Sequence, residues 1–257
     1  MQASHERHPA TLRVFRYRTD RPSLDVIIGD ASMPLPEAEL IKRARDAMDQ
    51  STFVVHTVVS DDEGETEELC FVPQVGRCEI LSIRSNGWRR HHGDHRRSLL
   101  EILNDLAAAV ALGRLRLLDA EELAAEELRG QRLFSRAVYD TTTLSTARTD
   151  IAAALEELGF DKRRRDQTVL CASEAATNAL VHGGGTGSIS LHRLPASVRV
   201  AVTDRGPGLN FLNWLESPIH SAQASMGYGY RIILDHIDSV GLHTSATGTT
   251  LILDQSD

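Results

Sequence analysis

The chain has 257 residues, of which 41% are hydrophobic and 25% charged, and its formal net charge is −8. Two globular domains are expected at this length, and the negative charge disfavours broad binding to nucleic acid or to an anionic membrane. No apolar run approaches the roughly 20 residues that a membrane span needs, and the polar N-terminus carries no signal-peptide core. A cytoplasmic location is therefore predicted, with the three cysteines, which form no CxxC pair, as reduced thiols.

The first part of the chain, residues 1–86, is predicted to be a small α/β domain of unknown role. Apolar alternation predicts a set of strands and one helix, with an acidic loop over 61–67. The predicted strands are 11–17, 24–28, 52–60, 68–72 and 77–84, and the predicted helix is 34–48. No catalytic constellation stands out in this part, so we expect a sensory or protein-binding role.

Residues 87–134 are predicted to form a basic linker followed by two helices, over 99–110 and 119–134. His91, His92 and His95 lie among arginines, and cationic neighbours disfavour a metal site there. Because His95 precedes an amphipathic helix, one alternative makes it the phosphoacceptor of a sensor histidine kinase. Arginines follow it where such kinases have an acid, and a packed histidine at a helix start is the simpler interpretation.

A helix is predicted over residues 166–182, because this Ala-rich segment has neither Pro nor Gly and three glycines follow it. Glu174, Asn178 and His182 are four residues apart and so share one face. A carboxylate beside a carboxamide oxygen suits Mg²⁺ bound to phosphates, and the acid can deprotonate an incoming hydroxyl. In an isolated helix, the same pair would more simply be part of a solvated stripe.

An alternating segment, 197–204, predicts a strand that ends at Asp204, followed by Gly206 and Gly208. An acid at a strand end can accept a hydrogen bond from an adenine amino group, and the glycines allow the backbone to approach the base closely. An ordinary Gly/Pro turn after a strand is the alternative.

A second glycine-rich turn, containing Gly227 and Gly229, is predicted to open a helix over 231–238. Such a helix start is an anion site, and Arg231 would add a positive charge near phosphates. The third glycine of the dinucleotide-binding fingerprint is missing. A last strand is predicted over 248–254, in which Thr249 would place a hydroxyl near the base or serve only as a strand-forming residue.

Together these segments resemble the GHKL (Bergerat-fold) ATPases over about residues 135–257, and most of all the bacterial anti-sigma-factor serine/threonine kinases, which phosphorylate anti-anti-sigma proteins. Glu174 to Gly183 resembles the N-box of that family, Asp204 to Gly208 its G1 box, and Gly227 with Gly229 its G2 box. The usual G2 box has one more glycine, where Ser225 stands here. The presumed lid over the nucleotide, 209–226, is short.

The resemblance implies a fold, an activity and roles for the site residues. The fold would be a two-layer α/β sandwich, with a mixed sheet covered by helices, behind a separate N-terminal α/β domain and a helical linker. Glu174 would be the catalytic base, Asn178 the Mg²⁺ ligand and Asp204 the adenine reader. His182, Gly206, Gly208, Gly227, Gly229, Arg231 and Thr249 would complete the ATP site.

The predicted function is an ATP- and Mg²⁺-dependent protein serine/threonine kinase that phosphorylates a STAS-domain anti-anti-sigma partner in bacterial transcription or stress signalling. A sigma factor or a phosphatase would be a further partner. Homodimers are common in this family, so the resemblance also implies a possible homodimer. Two alternatives stay open at this point. One is a nucleotide-binding partner-switch module without kinase activity, and the other is the histidine kinase with His95 as phosphoacceptor.

Overall fold

The computed structural model describes residues 11–52, 54–59, 66–85, 99–208 and 225–257. These residues fall into two compact units, one within 11–112 and the other formed by 113–208 together with 225–257. Within the described ranges no helix combines the length and apolar character required to cross a membrane. The basic stretch with His95, most of the acidic loop and nearly all of the predicted lid lie outside the described residues.

The first unit is a five-stranded antiparallel sheet with helices packed on it. The strand order is β2-β1-β5-β4-β3. Its elements are β1 (Thr11–Arg18), β2 (Arg21–Ile28), α1 (Glu37–Gln50), β3 (Val54–Val59), β4 (Thr66–Gln74), β5 (Arg77–Ser85) and α2 (Leu99–Ala111). Each strand predicted in this part of the chain is present, because period-two alternation reports directly which face of a strand is buried.

The core of the first unit combines apolar packing with buried ion pairs. Helix α1 buries Leu40, Ala44 and Ala47 against aromatic side chains of the sheet, including Phe15 and Phe71. Two arginines of β1 are also fully enclosed. Arg13 bonds Glu67 and Ser82, and Arg16 donates from Nε to Glu79 over 2.8 Å. Buried charges of this kind persist only when they are paired.

The second unit contains a six-stranded mixed sheet of order β6-β10-β11-β9-β8-β7. Only the pairing of β6 with β10 is parallel. The elements are β6 (Leu115–Leu117), α3 (Ala120–Glu127), β7 (Gln131–Val138), α4 (Thr141–Glu157), α5 (Lys162–Val181), β8 (Gly187–Arg193), β9 (Val198–Asp204), α6 (Ser225–His236), β10 (Ser239–Ser245) and β11 (Gly248–Gln255). Helix α5 packs between α4 and α6, and all three helices contact this sheet. The predicted two-layer α/β sandwich is confirmed.

Local sequence explains where the long helices of this unit begin and end. Asp140 caps α4 by accepting from the backbone N–H of Thr143 over 2.7 Å, and Asp161 caps α5 in the same way. Gly159, at a φ of 86°, separates the two helices in a conformation that a side chain would disfavour. The N-box helix therefore begins at Lys162, one turn earlier than predicted.

The helix predicted over 119–134 is wrong in its second half. Helix α3 ends at Glu127, and Gln131–Val138 is the edge strand β7, paired with β8. The predicted helix is interrupted at Gly130. It has a φ of 82°, and a Cβ atom there would lie 2.6 Å from the carbonyl oxygen of Arg193. The second unit accordingly contains β6 and α3, which the sequence analysis assigned to the linker.

Candidate active site

Helix α5 carries the catalytic candidates on its last turns. Glu174 and Asn178 are partly buried, one turn apart, and His182 is the C-terminal cap of the helix. The backbone N–H of His182 donates to the carbonyl of Asn178 over 2.8 Å. Burial lowers the pKa of His182, so at neutral pH this ring is an uncharged group at the edge of the site. Glu174 and Asn178 share one face, as the spacing predicted, because both lie against Gly229.

Asp204 ends β9 and is held by backbone groups. Its Oδ1 accepts from the N–H of Gly206 over 2.9 Å and from the N–H of Thr249 over 3.1 Å. Oδ2 makes no hydrogen bond to the described residues. One carboxylate oxygen is thus fixed by the protein, and the other is left as an acceptor for a donor such as an exocyclic amino group.

Glycines close around Asp204 because no side chain would fit. A Cβ atom on Gly183 would lie 2.5 Å from both Cβ and Cγ of Asp204, and one on Gly206 would lie 2.6 Å from Cα of Gly183. Gly248, at a φ of 147°, would place a Cβ atom onto the carbonyl oxygen of Asp204. Three chain segments therefore meet at the strand end: the end of α5, the turn after β9 and the start of β11.

The G2-box glycines lie inside α6, which corrects the prediction that they form a turn before a helix. The helix begins at Ser225, so the N–H of Gly227 is still one of the four amides without an intrahelical partner. Gly229 instead packs onto α5. A Cβ atom there would lie 3.0 Å from Oε2 of Glu174 and 3.6 Å from Nδ2 of Asn178. Close packing between the two helices overrides the low helix propensity of glycine.

Three further predicted residues have distinct surroundings. Thr249 is buried, with its hydroxyl 3.2 Å from that of Thr244 and its backbone N–H on Asp204. Gly208 has a φ of 84° and comes so close to the carbonyl of Ser245 that a Cβ atom would overlap it. Arg231 is exposed on α6, and its one ion pair within the described residues joins Nε to Oδ2 of Asp235 over 3.9 Å.

Sequence reasoning omitted three residues from its list of site residues. Gly183 and Gly248 form the walls around Asp204, and Tyr230 follows Gly229 on α6. Burial raises the pKa of Tyr230, and the negative charge of Asp204 raises it further. The phenol is therefore neutral, and it lies near Asp204, the candidate adenine acceptor. The glycines were visible as Gly-Gly and Gly-Thr steps beside a strand, whereas the burial of Tyr230 had no local signal.

The donor set fits Mg²⁺ that is held jointly with phosphates. Nδ2 of Asn178 is buried without a hydrogen-bond partner in the described part of the chain. An amide nitrogen cannot coordinate Mg²⁺, so the ligand would be Oδ1 of the same side chain, which lies with Glu174 against Gly229. The described residues contain no cluster of three or more metal-ligating side chains. Mg²⁺ needs no such cluster, because it is commonly held by one or two protein oxygens plus substrate phosphates and water.

Residues 138–254 match the family model of the histidine kinase-like ATPase domain. This segment is a histidine kinase-like ATPase domain. The family prediction is thereby confirmed for the region that carries the three boxes. A domain of this family implies ATP binding.

Two solved structures are similar to the chain along nearly all its length. The blue-light activated histidine kinase EL346 from Erythrobacter litoralis is 15% identical, with a TM-score of 0.30, over 96% of this chain and 95% of that chain. The RsbU and RsbW domains of Rv1364c from Mycobacterium tuberculosis are 16% identical, with a TM-score of 0.34, over 99% and 91%. A search of curated proteins found no match.

Proposed function

We propose that the protein is an ATP-dependent serine/threonine kinase of the anti-sigma regulatory type, acting on a STAS-domain anti-anti-sigma partner. The observation that carries the proposal is the position of Glu174 and Asn178. They lie on neighbouring turns of α5 with Gly229 against both, at the end of the helix that reaches Asp204. In this proposal the base, the magnesium ligand and the adenine acceptor would form one site along α5 and the end of β9.

Each residue would have a separate task in phosphoryl transfer. Glu174 would accept the proton of the attacking hydroxyl, and Asn178 would hold Mg²⁺ together with the phosphates. Asp204 would accept from the adenine amino group through Oδ2, because Oδ1 is already occupied. Bound Mg·ATP supplies the transferable phosphoryl group and the charge neutralisation on which such transfers depend.

The test is transfer of radiolabelled phosphate from ATP to purified STAS-domain proteins. We expect Glu174→Gln to keep ATP binding and to lower transfer about 10²- to 10⁴-fold, since a general base contributes on that order. Asn178→Ala should lose the Mg²⁺-dependent part of ATP affinity. Glu157→Gln is the matched control, because Glu157 is exposed on α4 and makes no ion pair within the described residues. Transfer by Glu174→Gln at the parent rate would show that the assigned base is wrong.

A partner-switch module without kinase activity is the second candidate. One observation favours it: α6 packs so close to Glu174 that a Cβ atom on Gly229 would lie 3.0 Å from Oε2, which restricts access to the carboxylate on that side. Single-turnover measurements separate the two functions. The module would bind ATP and a partner, such as a sigma factor or a phosphatase, without forming phosphoserine or phosphothreonine.

The histidine kinase alternative depends on His95, which lies outside the described residues. Acid-labile phosphate on the protein, abolished by His95→Ala, would support this alternative. Acid-stable phosphate on a partner, unaffected by His95→Ala, would support the serine/threonine kinase.

A further inference from the structure

The ATPase domain contains a cavity of about 450 Å³ at the end of α5 opposite to Glu174. It lies between the first turn of α5, the last turn of α6 and the residue that precedes β6. Its lining residues are Arg114, Arg163, Arg164, Gln167, Asp235, His236, Ile237 and Asp238. Ten residues of α5 separate Arg164 from Glu174, which corresponds to about 15 Å at 1.5 Å per residue. The cavity is thus separate from the proposed ATP site.

The two aspartates that line this cavity have hydrogen-bond or ion-pair partners, whereas two of its arginines have none within the described residues. Asp238 accepts from Arg164 over 3.0 Å and from the backbone N–H of Ser256 over 2.9 Å. Asp235 lies 3.9 Å from Arg231, outside the lining. The guanidinium groups of Arg114 and Arg163 make no ion pair or hydrogen bond with the described residues. Within the described residues, two arginines of the lining, from two different segments, therefore have no ion-pair partner.

The run of positive charges at the start of α5 is electrostatically unfavourable. Residues 162–165 are four consecutive cations at a helix N-terminus, where the helix dipole is positive and favours acidic residues. Carboxylates compensate three of them: Asp166 pairs with Lys162, Asp238 with Arg164 and Glu156 with Arg165. Among the described residues no carboxylate pairs with Arg163, the remaining cation of this run, and Arg163 lines the cavity.

We propose that this cavity binds a small anion with two or more oxyanion groups, phosphates or carboxylates. Arg114 and Arg163 would each hold one group, since a guanidinium binds such oxygens in a bidentate manner. Gln167 and His236, whose side chains lie 3.4 Å apart, add polar groups to the same wall. The volume falls within the range of small-molecule sites.

The experiment is calorimetric titration of the full-length protein with pyrophosphate and with citrate, without Mg²⁺ and at constant ionic strength. We expect at least one probe to bind with a dissociation constant below about 1 mM. Preference for pyrophosphate would identify a phosphate ligand, and preference for citrate a carboxylate ligand. The proposal is overturned if neither probe binds in that range.

Variants locate the binding. Arg163→Met changes an exposed residue. The double variant that combines it with Arg114→Met should bind the probe about tenfold or more weakly than the parent. Arg132→Met is the matched control, because Arg132 is exposed on the edge strand β7, away from the cavity. Parent-like affinity in the double arginine variant, or an equal loss of affinity in Arg132→Met, would overturn the proposal.

Discussion

The backbone N–H of Thr249 donates to Oδ1 of Asp204 over 3.1 Å, so the first residues of β11 orient the carboxylate at the end of β9. The second amide on the same oxygen comes from Gly206. Because both protein donors share Oδ1, Oδ2 is the oxygen left to accept from a ligand. Nucleotide selectivity is then expected to depend on a single atom.

Replacement of Asp204 by Asn should invert that selectivity without unfolding the domain. The amide oxygen must take the place of Oδ1 to accept from Gly206 and Thr249, so the NH₂ group would face the ligand. A donor facing the adenine amino group should weaken ATP binding by about 1–3 kcal/mol. Calorimetry should show the affinity for GTP, which has a carbonyl at that position, rising relative to ATP. An unchanged ATP affinity would contradict the assignment of Asp204.

Substitution of Gly229 by Ala should separate stability from activity. Alanine in a helix is favoured over glycine by about 1 kcal/mol, so the thermal unfolding midpoint should stay or rise. The new methyl group would lie 3.0 Å from Oε2 of Glu174, and the carboxylate would have to move. Phosphate transfer should therefore fall. In a Glu174→Ala background the same change should have no further effect, and an additional loss there would show that Gly229 acts by another route.

Gly248→Ala should be far more destabilising than Gly185→Ala, although both glycines have positive φ. At Gly185, with a φ of 82°, a Cβ atom would meet nothing within 4 Å, so only left-handed strain of about 1–2 kcal/mol is expected. At Gly248 the methyl group would also collide with the carbonyl of Asp204. We expect this variant to cost at least about 2 kcal/mol more in urea unfolding. Equal losses would mean that the strand end moves freely.

The ion network around Glu126 should make stability depend on acid pH. Burial alone would raise the pKa of Glu126, but hydrogen bonds and charges from Arg116 and Arg199 lower it from 4.5 to about 2. Because the folded-state pKa is depressed, the stabilisation is complete above about pH 4.5 and is lost as the pH falls toward about 2. We expect about 1–2 kcal/mol after allowance for solvent screening.

Glu126→Gln isolates this contribution. The variant should be less stable than the parent at neutral pH, and the difference should shrink as the pH falls from about 4.5 toward about 2. Chemical denaturation at a series of pH values measures it. A difference that stays constant across that window would indicate that Glu126 acts through packing rather than through its charge.

Local patterns in the sequence were sufficient for the elements that carry the site. The spacing of Glu174, Asn178 and His182 placed them on one face, and alternation up to Asp204 placed that acid at a strand end. Both patterns depend on helix or strand periodicity within a few residues, which needs no knowledge of the rest of the chain. The helix predicted over 119–134 failed because its acidic, Ala-rich start was extended across Gly130 into an edge strand.

The sequence by itself determined the chemistry of the candidate site: a carboxylate, a carboxamide and a strand-end acid, with glycines beside them. Tertiary structure alone decided that Gly229 packs onto Glu174 and that Thr249 orients Asp204. It also decided that Arg199 is buried between Glu126 and Asp254. These contacts join residues far apart in the chain, and they form only when the helices and the sheet pack at van der Waals distance. Periodicity carries no information about such distances.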